Sequence, residues 1–188
     1  MNVRIFSFKW FAVLSMMVLS ACSTLSTDSL FTESLTAPYR VGSGDKLRII
    51  VFGQDNLSNI YTVDASGKIS FPLIGNVALG DMATRDIEQT LITRLKQGYI
   101  REPKVSVEVD VYRPFYVMGE VTTSGQFAYV SGTTAQTAVA IAGGFTPRAD
   151  QRNVKITRKI NGAVVTGVVP ITHPIRPGDT IMVIERWF

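Results

Sequence analysis

The side chains best suited to chemistry in this sequence are one cysteine, Cys22, and one histidine, His173, and they lie far apart along the chain. A metal centre draws several such ligands together, so the sequence leads us to expect no metal site. His173 stands between Thr172 and Pro174 in a loop-like stretch, the setting of a surface residue more than of a catalytic base. No nucleophile elbow, phosphate-binding loop or dinucleotide fingerprint occurs in the strand–turn–helix context that its chemistry needs. Gly42-Ser43-Gly44 reads only as a glycine turn. Paired carboxylates can lie far apart in a chain, and with 15 acidic residues spacing alone selects no pair. We therefore assign no catalytic residue and expect no cofactor. Two Gly-Asp steps do stand out, Gly44-Asp45 and Gly178-Asp179, each just before an apolar strand. One reading is turn chemistry, in which glycine supplies the backbone angle and aspartate bonds its own main chain. The other is a pair of ligand-contacting carboxylates.

Cys22 gains its meaning from what precedes it. Arg4 and Lys9 flank the start, the apolar run Trp10–Leu19 follows, and Ser20-Ala21 leads into the cysteine. This is the charged, apolar and small-residue order of a secretory signal. The apolar run is about half the roughly twenty residues that a spanning helix requires, so cleavage is expected instead of a permanent anchor. A lone thiol in an exported protein must pair between chains, stay reactive or be modified. Leu19-Ser20-Ala21-Cys22 resembles the lipobox of bacterial lipoproteins. The resemblance implies cleavage before Cys22, a diacylglycerol thioether on it and acylation of the new amine. One acyl chain holds a membrane marginally and two or more hold it stably. Ser23 follows where an aspartate would retain such a lipoprotein at the inner membrane, which favours the periplasmic face of the outer membrane. With Cys22 used, the mature body has no thiol for a disulfide.

Behind these residues is a chain of ordinary globular composition. Its 188 residues, 46% hydrophobic and 18% charged, suit one domain or two small ones with a real core. The formal charge is +4, and Arg4 and Lys9 account for two of it, so the mature part is close to neutral. No Lys/Arg run tracks one face, which argues against a nucleic-acid partner.

Residues 23–37, rich in Ser and Thr, read as a tether. From Tyr39 the pattern turns to strands, with a buried run Leu47–Phe52. Tyr61–Val63 and Ile69–Phe71 are read as a hairpin joined by Asp64–Lys68, with Pro72 and Gly75 closing the pair. Thr84–Gln97 is the best helix, with Thr84 as cap, Ile87, Leu91, Ile92 and Leu95 as apolar stripe, Glu88 on the wet side, and Gly98 as stop. Val105–Val111 alternates strictly, valines inward. After Pro114 a second unit begins. It has strands at Phe115–Val121 and Gln126–Val130 and a short helix Ala135–Ala142 capped by Thr133 or Thr134. Strands Val154–Arg158 and Ala163–Val165 flank Asn161-Gly162, and a last strand covers Thr180–Ile184.

The stretch Tyr39–Gln54 (YRVGSGDKLRIIVFGQ) resembles the opening of the polysaccharide export domain, as do Val63–Ile69, Pro72–Gly75 and Pro103–Val107. Val117–Val121, Gly125–Phe127 and Ala142–Thr146 resemble the β-grasp module, often called SLBB, that follows it in Wza-type exporters. The resemblance covers nearly all of residues 39–185 and implies an α+β fold, a small polysaccharide-export domain followed by one β-grasp (SLBB) domain. The expected division is a signal peptide at 1–21, a lipidated tether at 22–38, the export domain at 39–113 and the SLBB domain at 114–188.

The family implies a homo-oligomeric periplasmic ring, held to the membrane by lipid, that carries capsular or extracellular polysaccharide and does no covalent chemistry. Its implied partners are the exported polysaccharide and an inner-membrane assembly or co-polymerase protein. Long members of the family continue into an amphipathic helix that spans the outer membrane. This sequence stops at Glu185-Arg186-Trp187-Phe188, so we expect a separate outer-membrane β-barrel above it or a ring that ends in the periplasm. Trp187 and Phe188 are read either as docking groups or as residues that close the core. Two other classes stay open: a lipid-tethered module that binds soluble sugar without forming a conduit, and a periplasmic glycan-modifying enzyme.

Overall fold

The computed structural model describes residues 38–160 and 162–187. The signal, the lipobox Leu19–Cys22, Ser23 and the tether up to residue 37 lie outside the described residues, as does Phe188.

The first part of the chain builds a three-stranded antiparallel sheet in the order β2-β1-β5, from β1 (Lys46–Val51), β2 (Asn59–Thr62) and β5 (Val105–Val111). β1 alternates: Leu47, Ile49 and Val51 are buried, while Arg48 on the other face pairs with Asp110 of β5. The strand is therefore half-buried, not covered on both faces, because only one face of this small sheet has a layer packed on it. In β5 the alternation is looser than its sequence suggests. Val107 is buried, but Val111 at the strand end is exposed.

The expected hairpin between Tyr61–Val63 and Ile69–Phe71 does not form. β2 pairs with β1, and β3 (Lys68–Phe71) pairs with β4 (Gly75–Ala78), a strand not read from the sequence. The turn between them is real: Asp64 Oδ1 accepts the N–H groups of Ser66 and Lys68, and Asp64 N–H donates to Lys68 O at 2.8 Å. Its flanks diverge because Val63 continues along β1, donating to Asp45 O, while Gly67 turns against Gly80. Gly67 O accepts from both Leu79 and Gly80 N–H, and Gly67 takes φ +74, with the Gly80 Cα 3.2 Å from where a Cβ on Gly67 would sit. Pro72–Gly75 makes the tight turn of the β3–β4 pair, with Leu73 and Gly75 both at positive φ.

Helix α1 (Thr84–Lys96) packs Ile87, Leu91 and Leu95 into the first core. Its N-cap position is Ala83, and no side chain caps it, so Thr84 falls one residue inside the helix. Gly98, at φ +97, ends it as expected. Glu88 departs from its expected place in water. It accepts the Val107 N–H at 2.9 Å, satisfying a backbone donor on the outer edge of β5.

The second part is a five-stranded sheet in the order β7-β6-β10-β8-β9, with β6 (Phe115–Gly119) parallel to β10 (Thr180–Val183) and the other neighbours antiparallel. β7 (Gly125–Phe127) is shorter than expected. β8 (Asn153–Ile160) and β9 (Ala163–Pro170) are longer, in register from Asn153↔Pro170 to Ile160↔Ala163. Short helix α2 (Ala135–Ile141) lays Ala135, Ala138 and Val139 on this sheet. Of the two threonines proposed as its cap, Thr134 does so, accepting the Thr137 N–H at 3.2 Å. The chain is α+β throughout. Its apolar side chains form two cores, one containing Val41 to Val107 and the other Phe115 to Val183. Trp187 is in neither and is 96% exposed.

Candidate functional site

The two Gly-Asp steps are the same structure built twice. In the first, Asp45 N–H donates to Gly42 O at 3.1 Å, Gly44 has φ +92, and Asp45 Oδ2 accepts the Gly42 N–H at 2.8 Å. In the second, Asp179 N–H donates to Arg176 O at 3.1 Å, Gly178 has φ +86, and Asp179 Oδ2 accepts the Arg176 N–H at 2.7 Å. Each aspartate carbonyl then accepts the N–H of a residue on a neighbouring segment, Val63 for Asp45 and Tyr116 for Asp179. The turn requires a left-handed residue just before the aspartate, which only glycine adopts without strain.

Both carboxylates are fully buried, at 0% and 1% exposure, and a buried charge is tolerable only when paired and hydrogen-bonded. Asp179 receives Arg158 through two parallel bonds, Nε to Oδ1 at 2.9 Å and Nη2 to Oδ2 at 2.7 Å. Such a fork–fork pair is among the strong hydrogen-bonded contacts. Asp45 receives the Arg113 backbone N–H at 2.7 Å, the Arg113 Nη1 at 3.4 Å and the Tyr39 hydroxyl at 2.6 Å. Burial first, and then this bond to a carboxylate, push the Tyr39 phenol far above its ordinary pKa. The four residues Gly44, Asp45, Gly178 and Asp179 thus come together near one junction. Their carboxylates are turned into their own turns.

Arg113 makes that junction. Its Nε donates to Pro177 O at 3.1 Å while its main chain and Nη1 hold Asp45, so one side chain touches both Gly-Asp turns. The guanidinium occupies the space of two missing side chains. A Cβ on Gly42 would come within 1.9 Å of Nη1, and one on Gly178 within 2.7 Å of Nε. Neither Arg113 nor Arg158 was singled out from the sequence. The usable signal was indirect: two aspartates headed for buried turns demand two cations, but nothing local says which.

Around the junction lie two neighbouring cavities. The larger, about 720 Å³, opens between the two parts of the chain. From the first part it is lined by Arg40, Ser43, Ser66 and Asp81, and from the second by Lys159 and Arg176 together with the Arg158–Asp179 pair. Burial, and then the Arg158 charge, hold the Arg176 guanidinium below its ordinary pKa. The smaller, about 210 Å³, is lined by Tyr39, Tyr112 and Tyr129 and shares Tyr39, Arg176 and Pro177 with the first. The three rings meet edge to face, Tyr39–Tyr112 at 5.0 Å and Tyr112–Tyr129 at 5.4 Å between centroids. His173 is half-buried in the turn after β9, and burial followed by the Arg158 charge lowers its pKa. Among the described residues no group of three or more His, Cys, Asp or Glu side chains is placed to hold a metal ion, and no helix is long and apolar enough to cross a membrane.

In this chain a sheet-and-helix unit is followed by a β-grasp unit, and Arg113, clasped by two glycine turns, joins them. Residues 33–110 match the family described as polysaccharide biosynthesis/export protein, and residues 114–169 match the SLBB domain. The chain belongs to the polysaccharide export family of the Wza type, with one SLBB domain. It is similar to the exopolysaccharide production protein ExoF of Rhizobium meliloti (strain 1021), 32% identical over 118 residues, which are 56% of this chain and 28% of that protein. It is also similar to the EPS I polysaccharide export outer membrane protein EpsA of Ralstonia solanacearum, 28% identical over 196 residues, or 86% of this chain and 51% of EpsA. The EpsA of Ralstonia nicotianae is 27% identical over 183 residues, covering 79% and 48%. The chain spans about half the length, or less, of these relatives.

Proposed function

We propose that this protein is a lipid-anchored subunit of a periplasmic ring, at the inner face of the outer membrane, through which capsular or extracellular polysaccharide leaves the cell. Its units are an export domain at 39–113 and an SLBB domain at 114–188, hung from Cys22 after removal of residues 1–21. The observation that carries the reading is the succession of the two family matches along one chain, joined to relatives named for polysaccharide export at the outer membrane. The protein does no covalent chemistry on the polymer. It works with further copies of itself and with an inner-membrane assembly protein below.

The deciding experiment is deletion of the gene with separate measurement of surface and cell-retained polysaccharide. Surface polymer should fall while polymer accumulates in the periplasm. Unchanged surface polymer would remove the reading. The anchor is tested independently. A Cys22→Ser precursor should leave the outer-membrane fraction after a high-salt wash, because acyl chains supply about 0.8 kcal/mol per buried methylene and the serine variant carries none. Retention of the serine variant would mean that the attachment has another source.

A further inference from the structure

Resting on the lipid-anchor part of that reading, we propose that the open face of the five-stranded sheet lies on the surface of a bilayer that carries anionic phospholipid. The second core and helix α2 cover the other face of this sheet, where Phe115, Val117, Ile156 and Ile181 are buried. The alternate residues point away from that core. Among them Tyr116, Met118, Val164, Val168 and Met182 are between 40% and 71% exposed. The strand register sets them side by side. Met118, Met182, Lys155 and Val168 form one row across four strands, and Tyr116, Thr180, Thr157 and Thr166 form the next. Single exposed apolar residues are ordinary on a protein surface, but a contiguous apolar patch with polar neighbours marks a contact surface.

Charge identifies what the face meets. None of the strands β6 to β10 contains an aspartate or a glutamate. Arg158 of β8 is turned into the core and held by Asp179, whereas Lys155 and Lys159 of the same strand are exposed on the open face. Glu120, just past β6, is engaged by Arg148. A second copy is a poor complement. The same face would set lysine against lysine, and the open face of the first sheet is of mixed sign, with Lys46 and Arg48 beside Glu108 and Asp110. Anionic headgroups match both lysines, while tyrosine rings and apolar side chains suit the boundary beneath them. The position of the tether agrees. Pro38, where the described chain begins, lines the same cleft as Lys159 and Ile160 at the end of β8. The 16 residues from Cys22 to Ala37 can span at most about 55 Å, so the bilayer that holds acyl chains on Cys22 is within reach of this face.

The chain has one cysteine, so an introduced one reports a single place once Cys22 is acylated. The acylated full-length protein is reconstituted into vesicles of phosphatidylcholine and phosphatidylglycerol. V168C on the open face and A140C on the exposed side of α2 are each labelled with an NBD thiol reagent. Doxyl-labelled phosphatidylcholine should quench the label at position 168 and not the one at 140. Adding K155Q/K159Q should lower the docked-to-free ratio by about twenty-five-fold, roughly fivefold for each basic residue near an anionic surface. Vesicles of phosphatidylcholine alone should act in the same direction on the chain that keeps both lysines, and they make the comparison should the lysine variant not fold. Equal quenching of both labels, quenching of neither, or quenching at 168 that survives both changes overturns the proposal. So does a label at 168 that shifts to the blue with protein concentration and is not quenched, which would put a second copy on the face. The chain without an introduced cysteine tests the anchor separately. If the reagent labels it, Cys22 carries a free thiol and the anchor falls. If it stays unlabelled while the label at 168 is not quenched, only the face assignment falls. The difference between V168C and A140C decides the face in either case.

Discussion

Asp179 and Arg158 are both almost completely buried, so each depends on the other for its charge. Replacing Asp179 by Asn keeps the acceptor for the Arg176 N–H but leaves Arg158 as an uncompensated interior cation, at a cost of about 3–5 kcal/mol. The double variant R158M/D179N should recover part of that loss, because it removes the stranded charge as well. Urea unfolding of the two variants checks the order, and equal destabilisation would mean that the turn and not the pair carries the energy. His173 allows a second measurement at this scale. Its pKa is lowered in the folded state by burial, and its ordinary value is 6.5. The unfolded chain therefore binds the proton more readily, and stability should fall as pH drops below about 6.5 and through the folded value. It is the chain's one histidine, so an H173Q variant should flatten the slope in that window. The two Gly-Asp turns were legible in the sequence because their chemistry is local. Their arginines were not: Arg113 is 68 positions from Asp45 and Arg158 is 21 from Asp179, and no periodicity spans such distances.

Among the elements, those read correctly are the ones whose signals are contained within themselves. The apolar stripe and Gly98 place α1, Thr134 starts α2, and the Gly162 turn joins β8 to β9. The misread hairpin at Asp64–Lys68 shows the limit. A turn sequence reports that the chain bends, but which strands pair is decided by partners elsewhere, here β1 for β2 and β4 for β3. Glu88 was misplaced for a related reason. A polar residue beside an apolar stripe looks wet until the helix lies across an open strand edge. Its removal should be felt there. An E88A variant leaves the Val107 N–H without its acceptor, and about 1–3 kcal/mol of stability should be lost. The Val107 amide should exchange faster in deuterium exchange, with little change in β10 of the other sheet. Uniformly faster exchange across both sheets would instead point to a general loss of packing.

At the scale of the whole molecule the question is what links the two cores. Each core has its own apolar cluster, and the polar links between them converge on Arg113 and its neighbours. Arg113 reaches Asp45 and Pro177, and the Tyr112 ring lies between those of Tyr39 and Tyr129. An R113M variant keeps the stem of the side chain but removes the fork, leaving Asp45 buried with its backbone donors and Tyr39 alone. We expect the first unit to lose stability, because a buried carboxylate has lost its cation. The second unit loses only one bond, at Pro177 O, and should be little changed. The two halves should then unfold separately. Deuterium exchange followed by mass spectrometry reads this directly, with peptides from residues 39–111 opening at lower urea than those from residues 115–187, while the unaltered chain opens both together. R113K should not restore the coupling, since an ammonium cannot reach Asp45 and Pro177 with the same planar fork. If the two halves still open together in R113M, the tyrosine contacts are enough to couple them, and the arginine serves only to neutralise Asp45.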